Sequence, residues 1–219
     1  MTVIYAEDKI DTWFPTSIYV STQNCVTELD NIKTACYSIC EKEEVTNPWL
    51  TSQLKTSFHD ETNGKLWLDS RFANLGQTIL EKAKNFGLNI GYSPSTTENF
   101  EFTNMWANII GPHDYHASHT HSTTGSAIIS GVYYVDAPEK CDIQFRTPYD
   151  QMHVATVPET LNELNYVICS YPCRPGTMYL WKSNVSHGYD AHNQEQDKIS
   201  IAFNIQVKQQ IEIVEKKYE

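Results

Sequence analysis

No run in this 219-residue chain approaches the roughly 18 consecutive apolar residues that a membrane-spanning helix needs. A bilayer partner is therefore not expected. Basic residues are scarce: sixteen lysines and arginines stand against twenty-seven aspartates and glutamates, a net charge of −11. A surface that negative repels phosphate backbones. No local basic patch offsets it, since Lys82-Ala-Lys84 follows Glu81 and Lys216-Lys217 is flanked by Glu215 and Glu219. Nucleic acid is excluded as the expected partner. The six cysteines, at 25, 36, 40, 141, 169 and 173, contain no Cys-x-x-Cys pair, so the usual structural-zinc spacing is missing. They read as free thiols packing as small hydrophobes. Residues Met1 to Ile10 lack the basic-then-apolar pattern of a signal peptide, which points to a cytoplasmic chain with reduced thiols. There is also no internal repeat, low-complexity tract or linker, and one domain spanning 1–219 is expected.

What is present divides near residue 98. Before it, Trp13 to Ser21 reads as a strand, rich in β-branched and aromatic residues. Val26, Leu29, Ile32, Cys36, Ile39 and Cys40 recur at helical spacing. A second helix is expected from about Ser70, with Phe72, Leu75, Ile79, Leu80, Ala83 and Phe86 on one face and Gly87 as its C-terminal stop. From 99 to 210 the pattern changes to short strands: Phe100 to Ile110, Ala127 to Val135, Asp142 to Phe145, Thr177 to Trp181 and Ile199 to Val207. Helices feeding such strands predict an α+β domain on a sandwich or barrel, whose mouth is a natural small-molecule pocket.

Four of the eight histidines fall within nine residues: His113, His116, His119 and His121. In extended backbone residues i and i+2 share a face, so His119 and His121 can grip one metal ion, as imidazole does for iron, zinc, copper and nickel. His187 follows sixty-six residues after His121 in a second strand-rich stretch. A solvated polar loop is the bland alternative. Eleven residues beyond His187 the last strand opens, and its alternation puts Lys198, Ser200, Ala202 and Asn204 on one face. A cation and a hydroxyl two residues apart can clamp a carboxylate.

The second half resembles the double-stranded β-helix (jelly-roll) oxygenases that use Fe(II) and 2-oxoglutarate. More narrowly, it is similar to a family of such enzymes common in bacteria and phages. The resemblance rests on Phe14-Pro15-Thr16, Trp106 and Asn108, His119 and His121, Ser130 to Val135, Gly176, His187, and Lys198 to Asn204. It implies a jelly-roll core with the N-terminal helices packed on one side, metal ligands His119, His121 and His187, and co-substrate contacts from Lys198, Ser200, Asn108 and Tyr133 or Tyr179. It implies oxidative decarboxylation of 2-oxoglutarate to succinate and CO₂, coupled to hydroxylation of a small-molecule or peptidyl substrate, a prolyl residue by superfamily analogy.

Two departures stand out. His121 occupies the place of the carboxylate in the superfamily's His-x-Asp/Glu…His triad. Three histidines are preferred as ligands, with Asp114 plus one of the His119/His121 pair left open. Lys198 stands where arginine usually anchors the co-substrate, and lysine cannot bind bidentately. Asp190 is a candidate to orient His187, and His59, His153 and His192 read as surface. A cupin-like metal protein without oxo-acid chemistry and a non-catalytic binding module remain the alternatives. The oligomeric state is open.

Overall fold

The polar face of the last strand is where the architecture is decided. The computed structural model describes residues 15–40, 54–58, 62, 64–121, 127–148, 159–162, 164–192 and 194–208. Phe14, His59, His153 and the tail from 209 lie outside them. In chain order the elements are β1 (Ile18–Ser21), α1 (Leu29–Cys40), β2 (Lys55–Thr56), α2 (Ala73–Asn89), α3 (Pro94–Glu98), β3 (Phe100–Ile110), β4 (His116–His119), β5 (Ile129–Asp136), β6 (Asp142–Arg146), β7 (Ile168–Pro172), β8 (Met178–Lys182), β9 (Ser186–Tyr189) and β10 (Lys198–Val207). The strands form a six-stranded sheet, β1-β8-β5-β10-β3-β2, and a four-stranded sheet, β4-β9-β6-β7. Their named pairings are antiparallel. The α+β jelly roll is as expected from the sequence.

Alternation along each strand splits the large sheet into two chemically different faces. Ile199, Ile201, Phe203 and Ile205 of β10, Ile129, Tyr133 and Val135 of β5, and Met178 and Leu180 of β8 pack with α1 and α2 in one apolar core. Phe203 and Ile201 are fully buried there, a burial worth about 1.5–3 kcal/mol for each such side chain. The opposite face carries Val132, Tyr134, Tyr179 and Trp181, which meet Ile143 and Phe145 of the small sheet in a second core. Lys198, Ser200 and Asn204 lie on that face too, all buried. The space between the sheets is therefore lined by the polar face of β10. Among the described residues no helix is long and apolar enough to cross a membrane.

Gly87 does not stop α2, which runs on to Asn89. It permits close packing instead, because a Cβ there would lie 2.8 Å from Phe100 Cε2 and 2.9 Å from Thr97 Cγ2. The short strands β2, β4 and β9 carry too few residues for a period to emerge from sequence.

Gly131 faces the same constraint more severely. A Cβ would sit 2.3 Å from Phe203 Cζ and 2.7 Å from the Tyr179 carbonyl oxygen, so backbone as well as ring would have to shift. Gly131→Ala is expected to lower the unfolding free energy by about 1–3 kcal/mol, read from the urea midpoint at unchanged slope. A wild-type midpoint would contradict this packing.

Candidate metal centre

Antiparallel pairing of β4 with β9 sets His119 directly opposite His187. His121 lies just past the end of β4, where its backbone N–H donates to the Ser183 carbonyl at 2.9 Å. The three imidazoles thus converge from two strands and a strand end. Their ring centroids are 4.3 Å (His119–His187), 5.0 Å (His119–His121) and 5.1 Å (His121–His187) apart. One ligand atom from each lies within 4.8 Å of the others.

The hydrogen bonds behind the rings fix which nitrogen faces inward. His119 Nδ1 lies 3.0 Å from the Ala117 carbonyl oxygen and His187 Nδ1 lies 3.1 Å from that of Val185. A carbonyl only accepts, so each Nδ1 carries the proton. His121 Nδ1 is 2.7 Å from Asn204 Oδ1, which also accepts from Ser130 Oγ at 2.7 Å. All three Nε2 atoms therefore bear lone pairs, the state a metal requires. His119 Nε2 and His121 Nε2 are 3.0 Å apart. Two nitrogens held about 2.1 Å from one ion at right angles to each other would show about that separation. The donor set fits a divalent metal ion.

Electrostatics agree. Burial is the largest cause of a lowered pKa at each of the three, opposed at His119 by the Ala117 bond and at His121 by the Asn204 bond. At His187 the neighbouring His119 and His121 add to burial and push it well below the ordinary value. The rings stay neutral at pH 7, ready to bind without first losing a proton.

A cavity of about 280 Å³ opens beside this centre. Its walls include Asn108, Lys198 and Ser200. Ser200 is the cross-strand partner of Asn108. Asn108 Oδ1 accepts a hydrogen bond from Thr56 Oγ1 at 2.7 Å. Lys198 is 1 % exposed, and its Nζ lies 2.8 Å from the centroid of the Tyr189 ring. Burial brings its pKa down from 10.5 to about 8, with Cys173 and Cys141 opposing the fall. Trp106 stacks near His121 at 6.3 Å, and Trp181 packs against His187 at 4.5 Å.

Several expectations need correction. Tyr133 is not at the cavity: strand parity turns it into the helical core, where its hydroxyl donates to the Asn24 carbonyl at 2.7 Å. The adjacent Tyr134 lines the cavity instead, as its parity with Ser130 would have indicated. Tyr179 directs its hydroxyl to the Pro172 carbonyl. Asp190 does not orient His187; it accepts from Gln144 Nε2 at 2.6 Å. His192 is buried at 4 % exposure rather than on the surface. Asp114 is buried but falls outside the ligand cluster. His116 belongs to β4 and tilts against His119 with centroids 4.3 Å apart. An irregularity between His116 and His119 produces that placement, and no periodicity announces it. Tyr189, two residues from His187, was legible by alternation.

Residues 104–204 match the family model described as "Putative 2OG-Fe(II) oxygenase". No curated protein matches the chain significantly. Solved structures share the fold. A prolyl-4-hydroxylase from Pseudomonas putida aligns at TM-score 0.59 and 10 % identity, over 89 % of this chain and 94 % of that one. HygX from Streptomyces hygroscopicus, crystallised with nickel, 2-oxoglutarate and hygromycin B, aligns at TM-score 0.59 and 12 % identity, over 88 % and 84 %. The viral collagen prolyl hydroxylase of Paramecium Bursaria Chlorella virus-1, solved with 2-oxoglutarate, aligns at TM-score 0.54 and 10 % identity, over 87 % and 96 %.

The depressed pKa of Lys198 predicts a pH dependence. Below about 8 the ammonium is present to attract a carboxylate; above it the charge is lost. Affinity for 2-oxoglutarate in the metal-loaded protein should weaken as pH rises beyond that point, by up to about tenfold per unit. Lys198→Arg should abolish the decline, since guanidinium stays charged. Equal pH profiles for the two proteins would remove Lys198 from the binding site.

Proposed function

We propose that this chain, whose residues 104–204 match the 2OG-Fe(II) oxygenase family model, is an Fe(II)- and 2-oxoglutarate-dependent oxygenase acting as one domain over 1–219. In this reading His119, His121 and His187 hold the iron, and Lys198, Ser200 and Asn108 receive the co-substrate. The observation that carries the assignment of ligands is the convergence of three neutral imidazoles whose Nδ1 protons are all committed elsewhere.

When bound, Fe(II) and 2-oxoglutarate supply dioxygen activation and the oxidising power to break a substrate C–H bond. The chain's own residues do the rest. Ala117, Val185 and Asn204 lock the imidazole tautomers from behind. Lys198 meets the distal carboxylate of the oxo acid as a point charge, Ser200 adds a hydroxyl, and Asn108 an amide N–H. Trp106, Val132, Ile143 and Trp181 form apolar walls that exclude water from the reacting centre. Lys198 is the only formally charged residue lining the cavity among those described. The substrate is therefore read as the neutral end of a small molecule or peptide, a prolyl ring among them. Nucleic acid is not a proposed partner, given the acidic balance. Location in the cytoplasm belongs to the same proposal, supported by six free thiols. A cupin-like protein would leave a buried lysine beside the metal site without a task.

Reconstitution tests the proposal. With Fe(II), ascorbate and air, the protein should convert 2-oxoglutarate to succinate even without substrate. His187→Ala should lower that rate by about 100-fold or more while circular dichroism stays unchanged. Succinate formation unaffected by the substitution would refute the assigned centre.

A further inference from the structure

Near enough to Lys198 to act on its charge lie two thiols that the proposed reaction does not use. Cys141 precedes β6 and Cys173 follows β7. The register Asp142↔Pro172 sets the two cysteines opposite each other at the next step. The Cys173 N–H donates to the Cys141 carbonyl at 2.8 Å, which makes them a hydrogen-bonded antiparallel pair. Cα atoms of such pairs are about 5.5 Å apart, inside the roughly 4.4–6.8 Å range of disulfides. Side chains of opposed residues share a face, and both are buried, at 4 % and 3 % exposure.

The thiols are wired to the cavity. Tyr134, Cys141 and Cys173 pack in one buried cluster, and Tyr134 and Cys173 act on each other's charge. Tyr134 lines the cavity, as does Lys198. Its pairing with Cys173, with help from Lys198, lowers the Cys141 thiol below its ordinary value, which favours a reactive thiolate near the lysine.

We propose that Cys141 and Cys173 are an oxidisable pair that closes to a disulfide with a peroxide and thereby alters the charge facing Lys198. The Cys141 thiolate attacks hydrogen peroxide to give a sulfenic acid, releasing hydroxide. The Cys173 sulfur then attacks that sulfur, forming the S–S bond and releasing the second oxygen as water. In sum two thiols and one peroxide give one disulfide and two waters. The reduced pair offers Lys198 a thiolate that competes with a bound carboxylate, and the disulfide offers none. The consequence for oxo-acid binding rests on the proposed function; the disulfide itself does not.

The full-length chain, loaded with zinc(II) to avoid iron–peroxide chemistry, is treated with hydrogen peroxide, alkylated and digested for mass spectrometry. The expected product is a Cys141–Cys173 linked peptide two hydrogens lighter than its parts, reversed by dithiothreitol and missing from Cys141→Ser. Alkylation of both cysteines after exposed Cys169 is consumed, or their separate conversion to sulfinic acids, overturns the pair. Titration with 2-oxoglutarate should then show binding about threefold or more tighter in the oxidised form. Equal affinities overturn the coupling to Lys198. A linked pair with no oxo-acid binding in either state counts against the oxygenase reading and not against the disulfide.

Discussion

Three lone pairs aimed at one point repel each other unless a cation lies between them. In this protein that condition is imposed from outside the rings, by acceptors to which each Nδ1–H donates: two backbone carbonyls and the Asn204 side chain. The 3.0 Å approach of the His119 and His121 Nε2 atoms fits a positive charge shared between them. Once the tautomers are fixed, the neighbouring polar groups follow from the sheet. Asn204 lies on the same face of β10 as Lys198 and Ser200, so in the proposed reading one strand orients the His121 imidazole at one end and offers a carboxylate anchor at the other.

The sheets explain why a lysine can be buried there. Its ammonium rests on the Tyr189 ring at 2.8 Å, close to two thiols that partly offset the desolvation. A cation over an aromatic face regains some of the energy lost on leaving water. Without a carboxylate the arrangement is costly, because burying a charge destabilises unless it is paired. A dianionic oxo acid supplies the missing partner, which is the physical argument for an acid-binding end of the cavity. As the proposed anchor, a lysine gives up the bidentate geometry an arginine would offer and titrates near physiological pH.

Much of this was legible in the sequence, and its limits are physical. The apolar alternation of β3 and β10 marked both strands to within a residue. Helix α1 and the start of α2 followed from their 3.6-residue period. Tyr133 went astray by one residue, which in a strand turns a side chain to the opposite face. Counting from Ser130 instead of from the aromatic pair would have chosen Tyr134. His116 was illegible, because an irregular pairing in β4 breaks the alternation that sequence reading relies on. Gly87 looked like a helix stop because close packing against Phe100 leaves no local signature. The opposition of Cys141 and Cys173 depends on the β6–β7 pairing across residues 147–167, which no local pattern reveals.

The most direct test of the account is calorimetric titration of the metal-free protein with Fe(II) under anaerobic conditions. The converging imidazoles predict one ion bound per chain, with affinity reduced by at least about tenfold to 100-fold when any one of His119, His121 or His187 is changed to alanine. Undiminished binding in those three variants, or no binding by the wild type, would contradict it.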